Sequence, residues 1–275
     1  MTTSVAALAL LAALLHASWN AFLRTGTDRL WTITVMSLSG TLMAAVWVAC
    51  VPLPPPEAWP FILTSSLLQV GYSLFLVAAY RQADLGQVYP IVRGTVPLWV
   101  TLSTFLLSGQ SLEPLQLLGI ALVGSGIGGL AFGRGRASTS AIAWALATGM
   151  IIACYATLDA IGVRKAPANG SYAAWVQVCF GSMMLLAFLA TRRSFTLDWQ
   201  ARETWKAVLG GLIALFSYGT VLMALALGPA GPVMALRETS VVFAALLGRL
   251  FLGETLTLGR LTACIVVATG AICLL

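Results

Sequence analysis

Runs of about twenty apolar residues recur along this chain with little between them, and that repetition leaves few folds open. Each run is long enough to cross a hydrocarbon core of roughly 30 Å as a helix. Ten are recognisable, at 3–24, 30–51, 59–81, 86–108, 112–132, 139–163, 170–191, 204–227, 231–252 and 256–274. Of the 275 residues, 59% are hydrophobic and 9% charged, with a mean hydropathy of +0.93, which lies outside the range of soluble domains. The expected fold class is an all-α integral membrane protein. The first run has no basic segment before it and nine runs after it, so it is expected to belong to the mature fold and not to a removable signal. The longest connection, near Arg192 to Lys206, reads as a short amphipathic linker. Any chemistry is therefore expected within the membrane.

The fifteen Lys and Arg residues are unevenly placed. Arg24, Arg29, Arg81, Arg134, Arg136, Arg192, Arg193, Arg202, Lys206, Arg249 and Arg260 fall on the side reached after odd-numbered runs. Only Arg164 and Lys165 fall on the other side, and only Arg93 and Arg237 lie well inside runs. Short cytoplasmic loops retain Lys and Arg, so both termini are expected outside the cytoplasm. The net charge of +6 follows from this bias and does not point to a nucleic-acid partner. The five cysteines, Cys50, Cys154, Cys179, Cys264 and Cys273, have no CxxC or metal spacing and read as small packing residues.

Ten runs divide into five and five, with halves at 1–136 and 137–275. A shift of 144 residues superposes Arg93 on Arg237, Thr95 on Thr239, Gly109 on Gly253, and Gly126 on Gly270. A shift of 139 brings HASWNAF over YATLDAI, so that His16 meets Tyr155 and Asn20 meets Asp159. With an odd number of crossings per copy, the two copies insert in opposite senses about a pseudo-two-fold axis in the membrane plane, as in many secondary transporters.

The segments SGQSLEPLQLLGIALVGSGIGGL and LGETLTLGRLTACIVVATGAICLL close the two halves, and with them the whole chain resembles the drug/metabolite transporter superfamily in its ten-helix EamA-type branch. The branch's glycine-plus-acid step stands here as Gly253-Glu254, and the first copy carries Gly109-Gln110. The resemblance implies two inverted five-helix repeats around a central cavity built from helices 1, 3, 4, 6, 8 and 9. It also implies a small-molecule substrate, aromatic amino acids being one class that members export. In one respect this chain departs from the family: the loop between helices 2 and 3, VPLPPPEAWP, has no basic residue, and the basic loop lies between helices 7 and 8.

Polar residues fall on the same helices. A charge near the bilayer centre costs several kcal/mol unless it meets a partner or a wet cavity, so Arg93 and Arg237 must face inward. Tyr89 and Arg93 share a helix face, and Pro90 and Pro97 free backbone carbonyls on the same helix. Glu238 follows Arg237 but points about 100° away, so each is expected to have another partner. Helix 1 offers His16, Trp19 and Asn20 on one face, and helix 6 offers Tyr155 and Asp159. Helix 3 adds Gln69, Tyr72, Ser73 and Tyr80, and helix 8 adds Ser217 and Tyr218.

Each candidate has two readings. Arg93 and Arg237 either meet substrate in the cavity or hold the halves in register, paired to Asp159, Glu238 or carbonyls. His16, the only histidine, is either a proton-coupling group or a packed neutral ring. Asp159 is either a proton or cation site or a compensated carboxylate. Trp19, Trp99, Trp144 and Trp175 either stack on substrate or pack, whereas Trp31, Trp47, Trp59, Trp199 and Trp205 lie near run ends and suit an aromatic belt. Gly119, Gly124 and Gly128 suit close helix packing, since no strand precedes and no Lys-Ser/Thr follows them as a phosphate loop would need.

The leading expectation is alternating access without a cofactor, by a protein that works as a monomer in a bacterial inner membrane and exports small metabolites, amino acids foremost. Arginine suits a carboxylate, an acid suits an amine, and rings suit an apolar side chain. Efflux of cationic aromatic drugs and transport of anionic metabolites are the alternatives within transport. A scaffold or sensor would not need buried charge at equivalent positions. An intramembrane enzyme would need a nucleophile with its base or a metal cluster, and neither HExxH nor clustered acids occur.

Overall fold

The computed structural model describes residues 1–26, 28–82, 85–109, 111–132, 139–192, 194–252 and 257–275; side chains at 24–25, 76–82, 85–89, 108, 131–132, 139–141, 248 and 250–252 are outside the description. Gln110, Arg134, Arg136, Arg193, Gly253 and Glu254 therefore lie outside the described residues, as do the side chains of Arg24, Tyr80, Arg81 and Tyr89.

Among the described residues the secondary structure is helical. The helices are α1 (Thr3–Thr25), α2 (Arg29–Cys50), α3 (Trp59–Gln82), α4 (Leu85–Ser108), α5 (Pro114–Phe132) and α6 (Thr139–Gly162), followed by α7 (Ser171–Arg192), α8 (Arg202–Leu227), α9 (Ala230–Glu238), α10 (Ser240–Leu252) and α11 (Leu258–Ile272). Seven described segments are long and apolar enough to span a membrane, the last being Ala230–Leu247 across α9 and α10. Pro114–Leu130 and Leu258–Ile272 are shorter apolar helices. With α9 and α10 counted as one crossing, the architecture is that of a ten-helix membrane protein.

Polar side chains start some of these helices, and a glycine ends one. Asp28 accepts from the Trp31 backbone N–H at 3.2 Å and opens α2, and Thr257 does the same for Arg260 at 3.3 Å to open α11. Gly109, at φ +62°, ends α4 with its N–H on the Phe105 carbonyl.

The pseudo-two-fold relation is visible in which helices touch. α1 packs on α8 as α6 packs on α3; α2 packs on α8 as α7 packs on α3; α4 packs on α6 as α9 packs on α1. α2–α7, α4–α9 and α5–α11 are the pairs that the axis relates to themselves. The lipid bilayer gives helices no hydrophobic drive to associate, so small residues and polar bonds hold these contacts. Gly94 of α4 presses on Gly124 and Gly128 of α5: an added Cβ there would lie 2.6 Å from the Gly124 carbonyl oxygen. Gly119 of α5 and Gly270 of α11 meet in the same way. Across α2 and α7, Gln177 donates to the Ser37 carbonyl at 3.1 Å and Thr41 donates to the Gln177 carbonyl at 3.0 Å.

One expected helix is broken. The sequence reads as a continuous run over 231–252, but the structure turns at Thr239 between α9 and α10. The Thr239 hydroxyl donates to the Leu236 carbonyl at 2.6 Å, and the backbone N–H groups of Thr239 and Val242 make tight i→i−3 bonds. A hydroxyl competing for a helix carbonyl loosens the α-helical ladder at that point.

The larger apolar cluster runs through the bundle. Val5, Ala9, Ile62, Val100, Tyr172, Leu225 and Val233 reach towards the face that is poor in arginine, and Val92, Ile127 and Ala145 of the same cluster reach the other way. A smaller cluster with Leu23, Met36, Met184 and Phe188 lies towards the arginine-rich face. The tryptophans near helix ends reach loop carbonyls: Trp31 to Thr196, Trp47 to Asn169, Trp59 to Pro54 and Trp205 to Trp199. This is the arrangement expected of an aromatic belt.

Candidate functional site

A cavity of about 120 Å³ lies among the helices, walled in part by members of the larger apolar cluster such as Leu222 and Met234. His16, Trp19, Tyr72, Arg93, Tyr155, Asp159, Tyr218 and Arg237 line it, together with Gln69 and Ser73. Two polar clusters contribute to this lining.

The first cluster joins the two intramembrane arginines. Arg93 is 2% exposed and its Nε lies 3.2 Å from Glu238 Oε2, an ion pair whose angle falls outside that of a hydrogen bond. The equivalent Arg237 is 9% exposed, and its Nε has no hydrogen-bond partner among the described residues. Between them sits His16: Arg93 Nη2 contacts its Nε2, and Arg237 Nη2 lies 3.1 Å from its Nδ1. Trp19 meets the His16 ring edge-on at 4.9 Å and fixes its plane. Pro97 withholds the N–H that would take the Arg93 carbonyl, and Thr239 breaks the helix two residues after Arg237. Both arginines thus stand at local interruptions of their helices.

The second cluster surrounds Asp159, which is 1% exposed. Tyr172 donates to Oδ1 at 3.0 Å and Tyr218 to Oδ2 at 2.8 Å. Gln69 in turn donates to the Tyr218 hydroxyl at 3.3 Å and to Ser65 at 3.1 Å. A carboxylate held by two phenols and backed by an amide keeps its position and its charge-accepting capacity in a low-dielectric interior.

The comparisons with known proteins agree with this architecture. A family model described as the EamA-like transporter family matches residues 3–132 and again 139–275. The chain belongs to the EamA-like transporter family. A crystal structure of another protein superposes with a TM-score of 0.76 at 18% identity, covering 99% of this chain and 98% of its own, so the two share the fold. No curated protein matches. Family and apolar helices together make this EamA-like chain a multi-pass membrane transporter of small molecules.

Some candidates fall elsewhere. Asn20 is not part of the cavity lining; its amide donates to the His16 carbonyl one turn back, at 2.8 Å. Glu238 is fully buried behind the lining, against Arg93. Trp175 packs on Trp59 and Trp144 on Phe75, and neither lines the cavity, nor does Trp99. The resemblance implied helices 1, 3, 4, 6, 8 and 9; the structure adds Ile33, Met36 and Ser37 from α2 and Gln177 and Phe180 from α7. Those side chains look like packing residues in sequence, because apolar and small polar residues carry no signal of a cavity.

Proposed function

We propose that this EamA-like transporter exports small zwitterionic metabolites by alternating access, amino acids with apolar side chains foremost and aromatic ones among them. One observation carries the reading: a single cavity presents a guanidinium, Arg237, and a hydrogen-bonded carboxylate, Asp159, among the rings of Trp19, Tyr72, Tyr155 and Tyr218. Arginine takes a carboxylate through its fork of donors, a carboxylate takes an ammonium, and the rings provide apolar contact. The guanidinium groups of Arg93 and Arg237 in the lining disfavour a cationic aromatic drug.

We place the protein in a bacterial inner membrane as a monomer, with its halves at 1–136 and 137–275 rocking about the cavity and its termini outside the cytoplasm. The uneven tally of Lys and Arg supports this orientation, since only Arg164 and Lys165 stand on the arginine-poor side, where both make contacts. Arg164 donates to the Leu225 carbonyl at 2.9 Å and 3.1 Å and to the Gly228 carbonyl at 2.5 Å, at the end of α8. Lys165 lies 5.7 Å from the centre of the Phe61 ring.

Reconstituted liposomes given radiolabelled phenylalanine and threonine test the reading. Saturable uptake that Arg237→Gln abolishes is the expected result. No uptake of any amino acid would leave anionic metabolites as the next class to try.

A further inference from the structure

His16 faces a guanidinium at each ring nitrogen, Arg93 at Nε2 and Arg237 at Nδ1. Guanidinium groups only donate, and a neutral imidazole has one acceptor nitrogen and one N–H. One of the two contacts is therefore a hydrogen bond and the other sets donor against donor. A cationic imidazolium would satisfy neither contact and would gather three positive charges around one carboxylate, Glu238.

Burial decides between the two neutral tautomers. Arg93, 2% exposed against 9% for Arg237, is the more deeply buried arginine, and a buried donor deprived of its acceptor is costly. The lone pair on Nε2 serves it. Nδ1 then carries the proton and points towards Arg237, whose Nε is buried with no hydrogen-bond partner among the described residues. Two sets of donors converge there on one place in the cavity wall, and the Tyr155 phenol lies beside the same guanidinium.

We infer that Arg237 and the His16 Nδ1–H form an oxyanion subsite that takes the carboxylate of the substrate, with Arg93 holding the tautomer that makes it. The inference rests on the proposed transport of zwitterions and names the group that receives their acidic end. Without an anion, Arg237 and His16 repel through their donors; with one, a single carboxylate oxygen pair satisfies both. His16 is in this scheme a binding group for substrate, and Arg93, with Glu238 behind it, is a positioning residue.

His16 is the only histidine, so its ring nitrogens are the only imidazole signals in the protein. The test is ¹⁵N NMR of histidine-labelled protein in lipid bilayers, purified through a histidine-free affinity tag. The expected spectrum shows a protonated Nδ1 and an unprotonated Nε2. Phenylalanine and 3-phenylpropionate, which carry a carboxylate, should shift Nδ1; phenethylamine, which carries only the amine, should not. Arg237→Gln should keep the tautomer and weaken the 3-phenylpropionate response about 10- to 100-fold, and Arg237→Lys should weaken it less. A ring protonated at Nε2, or an Nδ1 signal that ignores both carboxylates, overturns the inference. A carboxylate response in a protein that transports no amino acid upholds the subsite and removes the amino acid reading alone.

Discussion

In the first half of the chain Arg93 is followed by Gly94; in the second half Arg237 is followed by Glu238. Gly94 lets α4 lie against the backbone of α5. At the equivalent position Glu238 turns inward and takes Arg93 from the opposite half, 3.2 Å away. The duplication thus preserved the depth of the arginine and changed its neighbour, which left two arginines in one cavity lining, Arg93 ion-paired to a carboxylate and Arg237 without an ion pair among the described residues. The acid that follows the second arginine neutralises the first. Under the proposed function, this division lets one pair of equivalent residues both join two halves and leave a charge for substrate.

The largest effect expected from this division is on folding. Glu238→Gln leaves Arg93 buried without its carboxylate, at a cost of about 3–5 kcal/mol, whereas Arg93→Met combined with Glu238→Leu recovers most of that loss. Thermal unfolding in one detergent compares the three proteins, and equal stability of all three would break the comparison.

Arg237→Gln comes next, with its main effect on transport. It should lower phenylalanine uptake about 10- to 100-fold through a lost charge-assisted bond while thermal stability stays within about 1 kcal/mol. Asp159→Asn separates the two ends of the cavity. It should reduce phenylalanine binding by about tenfold and leave binding of 3-phenylpropionate unchanged, as competition against labelled phenylalanine would reveal.

The smallest expected effect lies at the glycine that replaces the acid. Gly94→Ala forces a Cβ towards the Gly124 carbonyl and should cost about 1–3 kcal/mol of stability, whereas Gly71→Ala, which meets open space, should cost far less. Thermal unfolding of the two alanine variants side by side reads the difference.

Much of this was legible in the residues because the solvent changes so sharply along the chain. Helix limits follow from apolar length, and the bilayer tolerates neither long polar runs nor open backbone within a span. The depth of Arg93 and Arg237 was legible from the repeat, and their inward direction from the cost of charge in lipid. Partners were not legible. His16 meets Arg93 across 77 residues and Arg237 across 221, and no local spacing encodes contacts between halves. The phenols on Asp159 come from α7 and α8, and Tyr172, one of the two, reads as a residue near a helix start. The break at Thr239 was hidden because threonine inside an apolar run carries no propensity strong enough to end a helix. Asn20 aligned with Asp159 in the repeat, yet its amide bonds its own helix, so equivalence in sequence did not carry over to the cavity.

The central claim is that Arg93 serves the fold and Arg237 serves the substrate. Its most direct test measures phenylalanine uptake and thermal unfolding for Arg93→Gln and Arg237→Gln reconstituted in the same lipid. The account predicts a marked loss of stability for Arg93→Gln, and for Arg237→Gln a stable protein without saturable uptake. A stable Arg93→Gln protein, or an Arg237→Gln protein that transports phenylalanine at the native rate, would contradict it.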